Sequence, residues 1–413
     1  MITRRYLLEL AGAGAVIAGP KAPQFLAADA AESKELLTLA PALPEGTRAE
    51  ARLDSLPGKK PLIKLSYRPP NYETPVSYFR EDITPNDVFF VRYHLSDIPN
   101  VDAKAWKLTI DGDGVNGTMQ IGLDDLKALP AAELTAVLQC SGNRRGLFQP
   151  HVAGVEWGYG AMGCARWKGV RLKDLLDSVG LKKEAVEIAF RGADGPALDK
   201  TPAFVKSLPV WKAMEETTLI AYEMNSEPLP HWNGFPVRLI VPGWTGTYWM
   251  KHMTSISALT APFDGFWMKS AYRIPLGKFP VVARFTSQET AVNTPITEMV
   301  VNSLITSHMD GAMVRAGTTL TVSGIAWDGG YGISTVDVSS DGGKTWTPAM
   351  LGVDLGNFAF RPWSLRVPLK APGRFTVMAR ATNKIGQSQT AAIIPNPAGY
   401  HHNVVQSVTL IAV

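Results

Sequence analysis

Strict alternation of apolar and polar positions marks the last third of the chain. In GTTLTVSGIAWDGG, ISTVDVSSDGGKTW and GRFTVMARATN, Leu320 pairs with Val322, Val336 with Val338, and Phe375 with Val377 and Ala379, each set on one face at period two. Asp341-Gly342-Gly343 sits between two such runs as a hairpin turn, because glycine reaches positive φ without a Cβ clash. Short strands at this spacing over about 120 residues predict an immunoglobulin-like β-sandwich across 290–413, with Trp327, Trp346 and Trp363 as core fillers. Between 79 and 285 the pattern is mixed. DVFFVRYHL and WKLTIDG read as strands, whereas GLDDLKAL and RLKDLLDSVGL repeat apolar residues at i, i+3 and i+4 and read as helices. The class predicted is α+β, a mixed α+β domain followed by the sandwich. Residues 31–78 are rich in proline and charge and read as an extended arm.

The N-terminus has a different texture. MITRRYLLELAGAGAVIAG places Arg4-Arg5 before a Gly/Ala-rich apolar run, and Ala28-Asp29-Ala30 offers a small-residue cleavage site. Residues 1–30 therefore read as a twin-arginine signal peptide, with the periplasm as the expected location. The run is too short and too rich in glycine for a membrane span. Because that route carries folded proteins, often with a cofactor already in place, a cofactor is expected before any motif is read.

Composition narrows the classes. A 413-residue chain that is 46% hydrophobic and 19% charged can bury more than one core, and its 37 Gly and 30 Pro favour short strands and turns. The net charge of +4 is spread without a basic stripe, which argues against nucleic acid as a partner. The seven histidines form no H-x-x-x-H pair, and there is no C-x-x-C, no C-x-x-C-H for covalent haem and no G-x-G-x-x-G after a strand.

Two stretches carry candidate chemistry. AVLQCSGNRRGLF delivers Cys140 from an apolar strand end onto a turn, followed at once by Arg144 and Arg145. Guanidinium charge beside a thiol favours the thiolate, which can attack an electrophile or bind a metal. A disulfide to Cys164 is the alternative in an exported protein. GFPVRLIVPGWTG sets Arg238 inside a continuous apolar run, so its charge needs a partner, either a core carboxylate or a bound anion. FFVRYHL repeats this with Arg92 and His94 on one face, and TGTYWMKH adds Lys251. Together these residues suggest a pocket for a large anionic cofactor.

In order along the chain, FFVRYHL, QCSGNRR, ARWKGVRL, AYEMNSEPLPHWNGFPVRLIVPGWTG, WMKSAYR and VDVSSDGGKTW resemble the sulfite oxidase family of molybdenum–pterin enzymes over roughly 80–413, in its bacterial haem-free form. The resemblance implies a molybdenum–molybdopterin cofactor with Cys140 as metal ligand and no haem in this chain. It implies a substrate pocket of Arg92, Arg145, Trp167 and Tyr272, Trp167 reading equally well as core. Pterin contacts are implied for Phe90, Tyr93, His94, Asp194, Asn233, Arg238 and Lys251; Asn233 stands where vertebrate relatives carry histidine. The segment PNPAGYHHNVVQSVTL departs from those relatives, so no substrate arginine is placed in the C-terminal domain. The function implied is oxidation of sulfite to sulfate, with electrons passed singly to a separate c-type cytochrome. The implied assembly is a homodimer or a heteromer with a cytochrome subunit. A molybdenum-dependent S-oxide reductase and a non-catalytic exported binding protein are the alternatives.

Overall fold

The computed structural model describes residues 36–38, 50–196, 198–279, 288 and 290–413; the expected signal peptide lies outside them. Two β-rich bodies share the chain, with only short helices between strands. In the first, a five-stranded sheet runs in the order Val205–Pro209, Glu187–Gly192, Met253–Leu259, Lys107–Asp111, Met119–Gly122. Its neighbours are antiparallel except Met253–Leu259 with Lys107–Asp111. A second sheet joins Leu219–Met224, Met162–Arg171 and Ala131–Gln139, with Arg238–Ile240 paired onto Leu219–Met224. The helical periodicity is realised in Leu123–Ala128 and Leu172–Ser178, the latter burying Leu172, Leu175 and Leu176 on one face. No helix among the described residues is long and apolar enough to cross a membrane.

The second body is the expected sandwich. One sheet orders Asn302–Ile305, Thr318–Trp327, Arg361–Leu369, Met350–Leu351; the other orders Ala312–Val314, Gln406–Ala412, Gly373–Asn383, Ile333–Ser339, Thr347–Pro348. Val322, Val336, Val338, Val377 and Ala379 meet in the core between them, as period two requires. Gly342 and Gly343 turn at φ 75° and 90°. Trp327 and Trp363 are buried, but Trp346 is only half-buried, lying beneath Arg380 at 4.5 Å and donating to Gly343 O. At a strand end the indole has a cation to stack on and no core to enter.

Part of the expected arm is folded into the first body. Leu62–Ser66 and Asn71–Glu73 are antiparallel strands that continue onto Val91–Arg92, with Asn71 opposite Arg92. Leu62, Ile63 and Tyr72 are buried, and the Glu73 carboxylate accepts Gly158 N at 2.7 Å and Gly160 N at 2.8 Å. Strands of three to five residues between prolines leave too short a pattern for composition to reveal.

The sandwich docks on the strand that carries Cys140. Val137 N donates to Phe358 O at 2.8 Å, and Trp327 Nε1 donates to Gln139 Oε1 at 2.6 Å. The first fixes the backbone, and the second the Gln139 side chain, immediately before the cysteine turn.

Candidate functional site

Ala131–Gln139 becomes fully buried over its last four residues and ends on Cys140, whose N–H donates to Ala161 O at 2.9 Å. Asn143 N returns to Cys140 O at 2.9 Å and closes the turn. Cys140 is 9% exposed and lines a cleft together with Arg92, His94, Arg238, Lys251 and Tyr272. Both cysteines are free, which removes the Cys140–Cys164 disulfide. Cys164 lies opposite Val137 in the strand register, three residues before Cys140, and packs with it toward the sandwich. Burial pushes the Cys164 thiol up to about 12.

The two arginines after the cysteine part company. Arg144 takes φ 68° and turns its fully buried guanidinium into the sandwich, donating to Ser303 O at 2.7 Å and Val404 O at 3.4 Å. Desolvation lowers its pKa to about 10, and it is no neighbour of the thiol as the sequence suggested. Arg145 stays nearer the cleft, one layer behind it. It donates to Ala398 O at 2.8 Å and Val155 O at 3.1 Å and lies 5.3 Å over the Tyr400 ring. Glycine at 142 makes room, since a Cβ there would sit 2.6 Å from the guanidinium. Tyr400 in turn stacks on Tyr272 at 5.6 Å.

One wall of the cleft is formed by Arg92, His94, Phe204 and Tyr272. Arg92 is held by Asn71 Oδ1 at 3.2 Å and by Tyr93 O. No carboxylate lies within ion-pair distance of Arg92 or Arg238 among the described residues, so the core salt bridge is not the explanation for either charge. The His94 ring stacks on Phe204 at 3.7 Å and its Nε2 meets the Tyr272 hydroxyl. Burial, then the charge of Arg92, pushes the His94 pKa well below its usual value, so the imidazole is neutral. Burial raises the Tyr272 pKa, and Arg92 offsets this in part, so the phenol keeps its proton. Tyr272 also adopts φ 59°, a conformation a bulky side chain rarely takes.

The rest of the lining includes Tyr93, Asp194, Trp232, Asn233, Arg238 and Lys251, with Phe90. Arg238 donates to Asn233 O at 2.8 Å and Trp249 O at 3.0 Å, and burial lowers its pKa to about 9. Lys251 Nζ lies 2.8 Å from the Tyr93 ring centroid and 3.3 Å from Trp232 O. Burial drives its pKa down, with Arg238 adding to the fall and Asp194 opposing it. Three cations against one carboxylate make the lining electropositive.

An anionic pterin fits this cleft on the structure's own terms. Ser141 Oγ, Thr247 Oγ1 and Arg238 Nε are buried in its lining and have no hydrogen-bond partner among the described residues, so a ligand with polar edges would satisfy them. No group of three His, Cys, Asp or Glu could hold a metal among the described residues. A metal at Cys140 would therefore draw its other ligands from outside the chain, as the sulfurs of a pterin dithiolene provide. Trp167 is not in this lining. It is fully buried behind Arg238, with its ring 5.4 Å from that guanidinium and its Nε1 donating to Ala136 O at 3.1 Å. Its strand points it into the core, and the core reading holds.

Sequence reasoning missed Lys59, Lys206, Phe204 and Tyr400. Lys206 is fully buried, donates to Trp267 O at 2.8 Å and lies 5.3 Å from the Tyr272 ring. A lysine within a short strand flanked by apolar residues was the available signal, weaker than the continuous apolar run that singled out Arg238.

Three buried histidines set the acid stability of this region. Desolvation lowers His252, His401 and His402 to about 3 each. The unfolded chain protonates them near pH 6.5, so between there and pH 3 the unfolded state binds more protons and stability falls as pH falls. Above that window both states are neutral and the effect vanishes. Each histidine should remove up to about 1.4 kcal/mol per pH unit. Denaturant midpoints should therefore drop between pH 7 and pH 5; a flat profile there contradicts the assignment of neutral buried rings.

Residues 94–267 match the family model of the oxidoreductase molybdopterin binding domain, and residues 293–412 match the Mo-co oxidoreductase dimerisation domain. Mitochondrial sulfite oxidase of Homo sapiens is 38% identical over 329 residues, which are 76% of this chain and 59% of the human protein. This chain thus spans under two thirds of that relative. Sulfite oxidase of Gallus gallus is 33% identical over 374 residues, covering 86% of this chain and 78% of that one. Among solved structures, the sulfane dehydrogenase SoxCD from Paracoccus pantotrophus aligns with a TM-score of 0.70 at 26% identity, over 83% of this chain and 85% of its own.

Proposed function

Because this chain belongs to the sulfite oxidase family of molybdenum–pterin oxidoreductases, we propose that it oxidises sulfite to sulfate and passes the electrons singly to a separate c-type cytochrome. The observation that carries this reading is the cleft itself, lined by Cys140, Arg92 and Tyr272 together with Ser141 Oγ, Thr247 Oγ1 and Arg238 Nε, which have no hydrogen-bond partner among the described residues. Molybdopterin bound there supplies a molybdenum centre able to exchange an oxygen atom and two electrons. Cys140 provides the chain's metal ligand. Arg238, Lys251 and Asn233 bind the anionic pterin, whose charge offsets the repulsion among these cations.

Arg92 attracts the substrate anion and orients its oxygens, with Arg145 adding positive potential from the layer behind. Tyr272 keeps its hydroxyl proton in the cleft, and neutral His94 fixes the phenol's direction without adding a competing charge. Phe90, Phe204 and Trp249 bring apolar walls that strengthen these contacts by excluding water. In this reading the electrons leave to another protein, which is consistent with a sequence that carries no C-x-x-C-H for covalent haem. The twin arginine at Arg4-Arg5 supports export to the periplasm, and the dimerisation domain supports a homodimer, with a cytochrome-bound heteromer as the competing assembly.

Purified holoenzyme should reduce cytochrome c or ferricyanide when given sulfite, and should not reduce NAD. The cytochrome rate should fall as salt rises if charge guides docking. Sulfite-dependent NADH formation, or peroxide from oxygen at the cytochrome rate, contradicts the electron route. Faster turnover of a sulfane or a sulfoxide than of sulfite reassigns the substrate.

A further inference from the structure

One wall of the cleft is held from behind by a residue that does not line it. Lys59 is 8% exposed and donates to Asn86 O at 2.5 Å, Phe89 O at 3.0 Å and Asn233 Oδ1 at 2.7 Å. An ammonium has three N–H donors, and all three are used. A neutral amine would leave a lone pair facing one of those oxygens, so the contacts select the protonated form even though burial lowers the Lys59 pKa to about 7. Two of the acceptors are backbone oxygens of the loop leading to Phe90 and Arg92. The third is the side chain of a cleft residue 174 positions away in sequence.

That third contact decides which way an amide points. Gripped by its oxygen, Asn233 must turn its NH₂ group the other way. Its Nδ2 reaches Phe90 O at 3.4 Å, a loose contact that leaves donor capacity toward the cleft. Without Lys59 the amide can rotate and present its oxygen to an anion that Arg238 and Lys251 attract, where it would repel.

We propose that Lys59 is a positioning residue of the cofactor site, locking the Asn233 amide with its N–H side toward the anionic end of the pterin. This rests on the cofactor reading above. It also gives the segment before the first buried strand a part in cofactor retention.

The test uses holoenzyme and reads molybdenum and pterin per chain, together with the rate of cofactor loss during incubation. Lys59→Met should speed cofactor loss about tenfold, the effect of one misdirected hydrogen bond to a charged group. In an Asn233→Ala background the same substitution should add nothing, because the amide it orients is gone. Lys59→Gln, which keeps a donor for Asn233 Oδ1, should restore part of the retention, and it carries the same cycle if Lys59→Met does not fold. Equal acceleration in both backgrounds marks a merely structural lysine and overturns the proposal, as does unchanged cofactor loss. Wild-type protein devoid of molybdenum and pterin sinks the cofactor reading itself, whereas a loaded wild type with additive variants sinks only the role of Lys59.

Discussion

Cys140→Ser should abolish sulfite oxidation while most of the pterin stays bound. The side chains differ by one atom, but a serine hydroxyl is not ionised at neutral pH and is a hard donor where the thiolate is soft. No other cluster of metal-binding side chains among the described residues could replace it. The pterin's own contacts lie elsewhere, on Arg238, Lys251 and Asn233, and the turn around residue 140 is closed by backbone hydrogen bonds that serine preserves. The loss of turnover should therefore exceed the roughly 10–100-fold carried by outer contacts of a metal site. Assaying sulfite oxidation alongside pterin and molybdenum content separates the two effects. Wild-type activity in the serine variant would remove Cys140 from the chemistry.

Arg92→Gln should raise KM for sulfite and lower kcat/KM. Arg92 lies in the cleft wall, anchored by Asn71 Oδ1 and Tyr93 O, and no carboxylate among the described residues pairs with its charge. Glutamine keeps a donor but loses the charge and the fork. A lost charge-assisted hydrogen bond to a desolvated anion is worth about 1.5–3 kcal/mol, or roughly one to two orders of magnitude in kcat/KM. The discriminating comparison is with stability. Unchanged kinetics with a lowered melting temperature would make Arg92 a structural residue that braces Asn71 and the strands behind it.

Periodicity and punctuation made much of this protein legible. Alternation placed Val336, Val338, Val377 and Ala379 in the sandwich core, where they are found. A cysteine on a turn after an apolar run, and an arginine within one, marked Cys140 and Arg238, which line the same cleft from residues 98 positions apart. What stayed hidden depends on direction. Arg144 and Arg145 are adjacent and chemically identical, and only the left-handed backbone at Arg144 sends one to the sandwich while the other stays near the cleft. Trp167 sits in a motif beside Cys164 and Arg166, yet its strand orientation makes it core. Lys59 lies in a stretch whose prolines and charges suggest an arm, and its partner Asn233 is far along the chain. Tyr400 falls in a segment without periodicity and stacks on Tyr272 of the cleft only because the sandwich docks where it does. Long-range packing, which a local pattern does not encode, accounts for each of these.

The most direct measurement is a count of products from limiting sulfite. Sulfite gives up two electrons on becoming sulfate, and a c-type cytochrome accepts one. Purified enzyme should form one sulfate and two reduced cytochromes for each sulfite consumed, with Cys140→Ser forming neither. Sulfite left unconsumed by molybdenum-loaded enzyme, or sulfate formed without reduced cytochrome, would contradict a cysteine-ligated sulfite dehydrogenase that hands its electrons to a partner.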